Sequence, residues 1–151
     1  MKYISSSIFA ALFALMACNK SDVTQEIQNK SPRNYKTLLF GFKAYPPNSS
    51  PASGVFTGTL NTDTHEFSYL LEYSDMTEPP TSWHIHRAPA GEAGPIIISL
   101  GPIVPSPLTG TVNLTEAQMN ELMNNEYYVD VHSNAFEEGE IRGQLGKNTG
   151  K

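Results

Sequence analysis

The chain has 151 residues and a formal charge of −5, with 39% hydrophobic and 17% charged residues. This length accommodates one ordinary domain with a single core. The 11 glycines and 11 prolines are typical of a β-rich domain with many turns rather than a coiled coil or a disordered chain. The acidic balance argues against nucleic acid as a partner, because that interaction needs clustered Lys and Arg against the phosphates.

Residues 1–17 have the features of an export signal. Lys2 gives a positive start, and the apolar run from Ile8 to Met16 is too short to span a bilayer. The run ends in Leu15-Met16-Ala17-Cys18, which resembles the bacterial lipobox, in which the cysteine is lipidated and becomes the new N-terminus. Cys18 is the only cysteine, so lipidation also accounts for a thiol that has no disulfide partner. The alternative is an ordinary signal peptide followed by a buried cysteine.

The segment 18–34 is predicted to be the lipidated cysteine and a flexible polar tether, since few of its side chains can bury a face. Its acyl chains would be the protein's contact with a membrane. Asn19 stands where an aspartate is associated with inner-membrane retention in such lipoproteins. We therefore expect an exported, lipid-anchored protein of the bacterial cell envelope, at the outer membrane. The domain itself is expected at 35–146, followed by a C-terminal tail at 147–151.

From Tyr35 onward the apolar residues alternate with period two, which is typical of strands. The first predicted strand continues until Pro46 and Pro47, with Leu38, Phe40, Phe42 and Ala44 on one face. The other predicted strands are at 55–60, 67–73, 82–86, 96–100, 108–114, 127–132 and 140–145. Eight short strands bounded by Gly, Pro or Asn predict an all-β fold, a Greek-key, immunoglobulin-like sandwich.

One short helix interrupts this pattern. Thr115 and Gln118 form a capping-box sequence, and Met119, Leu122 and Met123 follow at helical spacing. We expect the helix to close one end of the sandwich, with these side chains in the core rather than on a ligand surface.

Three of the four histidines form a candidate metal site. In Trp83-His84-Ile85-His86 the strand period places both imidazoles on one face, about 6.5–7 Å apart at Cα. His132 ends a later predicted strand, and Asp130 shares its face. If the two strands are neighbours, His84, His86 and His132 converge into a site suited to copper or zinc. The alternative is that they hydrogen-bond loop backbone and bind no metal.

The remaining polar residues give no enzyme motif. The sequence has no Gly-x-Ser-x-Gly elbow and no glycine-rich phosphate loop, so we assign no catalytic residue. Glu137, Glu138 and Glu140 surround a turn glycine, where solvated charges are expected. Arg142 shares a face with Glu140 and Gln144, and we interpret it as half of a structural ion pair. The alternatives for Arg142 are an anion site and a contact that ties down a loop.

The order of these elements resembles the CHRD (chordin) domain family over residues 35–146. The most specific segments are the His-x-His block, the block Tyr128-Val129-Asp130-Val131-His132 and the block Gly139-Glu140-Ile141-Arg142-Gly143-Gln144. Further similar blocks lie at 56–61, 67–74, 94–98 and 110–124. The resemblance implies a β-sandwich, found in an animal extracellular protein that sequesters growth factors and in exported bacterial proteins. It implies no established enzyme activity.

A weaker likeness is to copper/zinc superoxide dismutase, another Greek-key sandwich. His84, His86 and His132 match three of its copper ligands, but residues 91–95 contain no bridging histidine and the chain has no further zinc ligands and no disulfide. We therefore expect no dismutase activity.

Three functions follow from the sequence. The first is a non-enzymatic binding or structural module with a protein or glycan partner. The second is an envelope protein that binds copper or zinc through the three histidines. The third, redox chemistry at a bound copper, needs an open coordination position.

Overall fold

A computed structural model describes residues 32–101 and 105–146. The predicted signal segment, Cys18 and the tail at 147–151 lie outside the described residues, as does the tether except for its last residues. The strands are β1 Arg33–Phe40, β2 Ser53–Leu60, β3 Glu66–Ser74, β4 Pro80–Arg87, β5 Ile96–Ser99, β6 Leu108–Asn113, β7 Tyr127–Ser133 and β8 Phe136–Gln144. A 3₁₀ turn, Gly41–Lys43, follows β1, and one helix, α1 Glu116–Met123, precedes β7.

The strands pair in the order β5-β4-β7-β8-β1-β2-β3-β6, and the pairings among the described residues are antiparallel. The pairing of β8 with β1 is short, since Phe40 opposite Arg142 is its only residue pair in register. The sheet is curled, so that its two halves face each other. Tyr73 of β3 packs on Trp83 of β4, with ring centroids 6.1 Å apart. The expectation of an all-β fold with eight strands and one helix is confirmed.

The core lies between the two halves of the curled sheet. Trp83 and Ile85 of β4 point into it, together with Val129 of β7 and Ile141 of β8. Phe56, Phe67 and Leu71 fill it from the opposite half. Because side chains alternate along a strand, the residues between them on β4, β7 and β8 face the other way. That outer face carries the predicted histidines.

The inward face of β1 differs from the prediction. Tyr35 and Leu39 are buried, whereas Leu38 is 46% exposed and Phe42 is 66% exposed. The strand ends at Phe40, and the chain turns through the 3₁₀ segment, so the alternation does not continue into residues 42 and 44. The predicted face of β1 is therefore one residue out of phase with the face that is buried.

The helix agrees with its prediction. The Thr115 hydroxyl accepts a hydrogen bond from the Gln118 backbone N–H, and the Gln118 side chain accepts from the Thr115 N–H. Met119 and Leu122 are buried in the core, and Met123 packs against it. Among the residues described, no helix has both the length and the hydropathy needed to cross a bilayer.

Loops cover the outer face of β4, β7 and β8. In the loop between β1 and β2, the Asn48 side-chain amide donates to the carbonyls of Gly139 and Glu140, at 3.2 and 3.1 Å. A Cβ on Gly41 would lie 2.3 Å from the Asn48 Oδ1, so a side chain there would displace the Asn48 amide. The loop between β4 and β5, residues 88–95, covers the face from the other side.

Candidate metal centre

The pairing of β4 with β7 brings the predicted histidines together. His84 lies opposite Asp130, and His132 lies opposite Ser82. Ring centroids are 5.5 Å apart for His84 and His86, 5.2 Å for His84 and His132, and 6.1 Å for His86 and His132. The condition set by the sequence, that the two strands be neighbours, is met.

Asp130 completes the group. Its Oδ1 lies 3.2 Å from the His86 Nε2 and 3.1 Å from the His132 Nε2. One ligand atom from each of His84, His86, Asp130 and His132 lies within 4.8 Å of the others. In a tetrahedral site with metal–ligand bonds near 2.05 Å, neighbouring ligand atoms are about 3.3 Å apart. The two shortest separations already match that value.

Asp130 is not among the ligands expected from the sequence. The signal was present, because Asp130 precedes His132 by two residues and so shares its face of β7. A carboxylate beside imidazoles is a normal member of zinc sites. The candidate centre therefore has four protein ligands rather than three.

Backbone carbonyls fix the outer nitrogen of two of the rings. The His86 Nδ1 lies 2.9 Å from the Gly94 carbonyl oxygen, and the His132 Nδ1 lies 2.8 Å from that of Glu137. A carbonyl only accepts, so each Nδ1 carries the hydrogen and the neutral ring presents a lone pair at Nε2. Metal-binding histidines are commonly held in this way.

The nitrogen and oxygen atoms that face the centre of the cluster lack hydrogen-bond partners. Among the described residues, the buried His86 Nε2, His132 Nε2, Asp130 Oδ1 and His84 Nδ1 have none. The Asp130 contacts are short enough for ion pairs but do not meet the directional requirements of a hydrogen bond. Buried polar atoms of native proteins are normally satisfied. A cation among these four acceptors would satisfy all of them together.

The charges in the cluster are coupled. Burial lowers the pKa of His84, and the neighbouring His132 lowers it further. Burial acts in the same direction on His132, but the Asp130 carboxylate, together with the Glu137 carbonyl and the Glu138 carboxylate, outweighs it and raises the His132 pKa. Burial would raise the pKa of Asp130, yet its contacts with His132 and His86 lower it overall. The ionised carboxylate thus favours positive charge at the centre of the cluster.

A cavity of about 100 Å³ adjoins the cluster. His86, Asp130 and His132 line it, and their side chains are otherwise only 9%, 5% and 12% exposed. Gly139 lines it too, with φ of 117°. A Cβ there would make only ordinary contact, 3.7 Å from the Asp130 Oδ2, but a residue with a side chain would be strained at this φ.

Glu140 corrects the expectation that the three glutamates are solvated. Glu137 and Glu138 are exposed as expected, but Glu140 is fully buried. Its carboxylate accepts hydrogen bonds from the Ser50 hydroxyl at 2.6 Å, the Thr77 N–H at 2.8 Å and the Ser133 hydroxyl. The loops that carry Ser50 and Thr77 close over this end of β8 and remove it from water.

Arg142 has no carboxylate partner among the described residues, contrary to the ion-pair interpretation. Its guanidinium donates to the carbonyl oxygens of Glu92 and Pro89, at 2.6 and 2.9 Å, and to the Gln144 side-chain oxygen at 3.3 Å. These are the contacts of the alternative role, a residue that ties down a loop. The loop in question joins β4 to β5.

The comparison with known families agrees with this fold. The family model of the CHRD domain matches residues 35–145. The chain belongs to the CHRD domain family. No curated protein and no solved structure is similar enough to the chain to count as a match. The likeness to copper/zinc superoxide dismutase stays a prediction from the sequence.

Proposed function

We propose that this CHRD-domain protein binds one zinc or copper(II) ion through His84, His86, Asp130 and His132. The observation that carries the proposal is the set of four buried acceptor atoms within 4.8 Å of one another, none with a hydrogen-bond partner among the described residues. Imidazole suits both metals, and a carboxylate completes a neutral-histidine set for a divalent ion.

The role we propose for the ion is non-enzymatic. Four protein ligands fill a tetrahedral coordination shell, whereas catalytic zinc sites keep a position open for water or substrate. The ligands come from β4 and β7, so the ion would fasten these two strands on their outer face. The protein is then a binding or structural module whose outer surface the metal stabilises, with a protein or glycan partner.

We also propose that the protein is located in the cell envelope and is anchored there through a lipid on Cys18. The support is the apolar run that ends in Leu15-Met16-Ala17-Cys18. The test compares wild type with Cys18→Ala in membrane fractions, using Ser21→Ala as the matched control. Lipid on the N-terminal peptide and membrane retention are expected for wild type and Ser21→Ala, and neither for Cys18→Ala. Membrane retention of Cys18→Ala would contradict the anchor.

The test of the metal site is a titration of the purified full-length chain, in detergent, with zinc and separately with copper(II). We expect one equivalent to bind at micromolar or tighter affinity. His84→Ala, His86→Ala and His132→Ala each lose this binding, while His65→Ala, in the turn between β2 and β3, retains it. Wild type that binds neither metal, or binding that survives in all three variants, would refute the site.

A further inference from the structure

Three buried side chains from β4, β7 and β8 are stacked behind the cluster. The Arg142 guanidinium carbon lies 3.4 Å from the centroid of the Tyr128 ring. The Tyr128 ring is stacked on His86, with centroids 4.8 Å apart and planes 5° apart. Arg142, Tyr128 and His86 are 3%, 4% and 7% exposed. Cation–π and ring-stacking contacts of this kind fix the plane of an aromatic ring.

The loop at residues 88–95 is bound to this stack. Arg142 donates to the carbonyls of Pro89 and Glu92, and the Gln144 amide donates to that of Ala88 at 2.8 Å. Gly94 closes the arrangement, because its carbonyl accepts from the His86 Nδ1 at 2.9 Å and its N–H donates to the Tyr128 hydroxyl at 3.3 Å. The loop therefore meets His86 at a fixed point.

The approach of Gly94 leaves no room for a side chain. A Cβ at this position would lie 1.9 Å from the Arg87 carbonyl oxygen. The backbone of the loop must pass this close for its carbonyl to reach the imidazole. The stack and the loop thus both act on the orientation of the His86 imidazole ring.

We propose that Tyr128 and Arg142 are positioning residues that hold His86 with its Nε2 directed at the metal. This inference rests on the proposed metal-binding function. Tyr128 acts directly, through the stacked ring and the hydrogen bond from Gly94. Arg142 acts through Tyr128 and through the loop, by its donation to two carbonyls. Burying a guanidinium is costly. The Arg142 guanidinium offsets this cost by donating hydrogen bonds to the loop whose Gly94 carbonyl accepts from His86.

Partners of this kind typically change metal affinity by about 10–100-fold when they are removed. Tyr128→Leu removes both the stack and the hydroxyl, and we expect zinc affinity in the full-length chain to fall within that range. Tyr128→Phe keeps the ring and loses only the Gly94 contact, so its affinity stays within a few-fold of wild type. Arg142→Lys keeps the charge but loses the forked donation to two carbonyls, and its affinity falls less than that of Tyr128→Leu.

Two further measurements separate positioning from general stability. The visible spectrum of the cobalt(II)-loaded protein reports ligand geometry, and we expect it to change in Tyr128→Leu. The ¹⁵N shifts of the His86 ring in the metal-free protein report its tautomer, and we expect Nδ1–H in wild type and a mixture in Tyr128→Leu. The matched control is Tyr69→Leu, which removes a half-buried tyrosine from β3 in the other half of the sheet and leaves both signals unchanged.

The outcomes separate the two proposals. Wild-type zinc affinity, cobalt spectrum and tautomer in a folded Tyr128→Leu would overturn the positioning role while leaving the metal site intact. If Tyr128→Leu does not fold, the same result in Arg142→Lys overturns it. Wild type that binds no metal would refute the proposed function, and the His86 tautomer would still decide whether Tyr128 orients the ring.

Discussion

Asp130 is the residue on which the proposed centre depends most. Its Oδ1 lies within 3.2 Å of two imidazole nitrogens, and its side chain is only 5% exposed. Its contacts with His132 and His86 outweigh burial and lower its pKa. At neutral pH it is therefore an ionised carboxylate beside two imidazole rings.

Asp130→Asn replaces this carboxylate with a neutral amide of similar shape. We expect zinc affinity to fall by at least about tenfold, because the only anionic ligand of the set is lost. Competition against a chromophoric chelator measures the change. Asp63→Asn, in the exposed turn after β2, is the matched control and leaves affinity unchanged. Wild-type affinity in Asp130→Asn would show that Asp130 is not a ligand.

Glu140 provides a prediction for stability against pH. Burial alone would raise its pKa, but hydrogen bonds from Ser133, Ser50 and Thr77 outweigh burial and lower it below the ordinary 4.5. A carboxyl with a lowered folded-state pKa stabilises the fold above its unfolded-state value, and this contribution is lost as pH falls through the folded-state value.

Glu140→Gln should lower the free energy of unfolding at pH 7 by about 1–3 kcal/mol, since buried donors lose their charged acceptor. As the pH falls below 4.5, wild type loses its advantage and the stabilities of the two proteins converge. Urea unfolding measured between pH 7 and pH 3 tests this. Glu72→Gln, on the exposed side of β3, should follow wild type throughout. A stability difference between wild type and Glu140→Gln that does not depend on pH would contradict the assignment.

At the scale of elements, the sequence located β4 and β7 well because polar and apolar residues alternate there without ambiguity. Trp83 and Ile85 face the core, and His84 and His86 therefore face outward. In β1 the run Leu38-Leu39-Phe40 is apolar at every position, so the phase of the alternation is not determined by those residues. The predicted face also included Phe42 and Ala44, which lie beyond the end of the strand.

The corrected face of β1 can be tested with two leucines. Leu39 is fully buried, and Leu39→Ala should cost about 2–5 kcal/mol in the free energy of unfolding. Leu38 is 46% exposed, and Leu38→Ala should change it by no more than about 0.5 kcal/mol. Urea denaturation of both variants measures the contrast. Equal costs, or a larger cost at Leu38, would restore the face expected from the sequence.

The surroundings of the candidate centre were less predictable than its ligands. Strand periodicity places residues on a face, but it does not show which loops cover that face. The burial of Glu140 depends on Ser50 and Thr77, which are 90 and 63 residues away in sequence. The carbonyl that orients His86 comes from Gly94, in a loop held by Arg142. Contacts of this long range are set by tertiary packing rather than by any local pattern.

At the scale of the whole molecule, a bound ion would stabilise the fold. A ligand that binds only the folded state adds about 2.7 kcal/mol when its free concentration is about 100 times its Kd. We therefore expect zinc to raise the thermal midpoint of wild type, and a chelator to reverse the rise. His132→Ala should show no shift with zinc. A midpoint in wild type that does not respond to zinc would mean that binding is not coupled to this fold.

The proposed metal site is best tested by a crystal structure of the zinc-loaded protein, with anomalous data collected on both sides of the zinc absorption edge. We expect one anomalous peak among His84, His86, Asp130 and His132, with zinc–nitrogen distances near 2.0–2.1 Å. Zinc found at another position on the chain, with the four side chains unchanged, would contradict the proposed site.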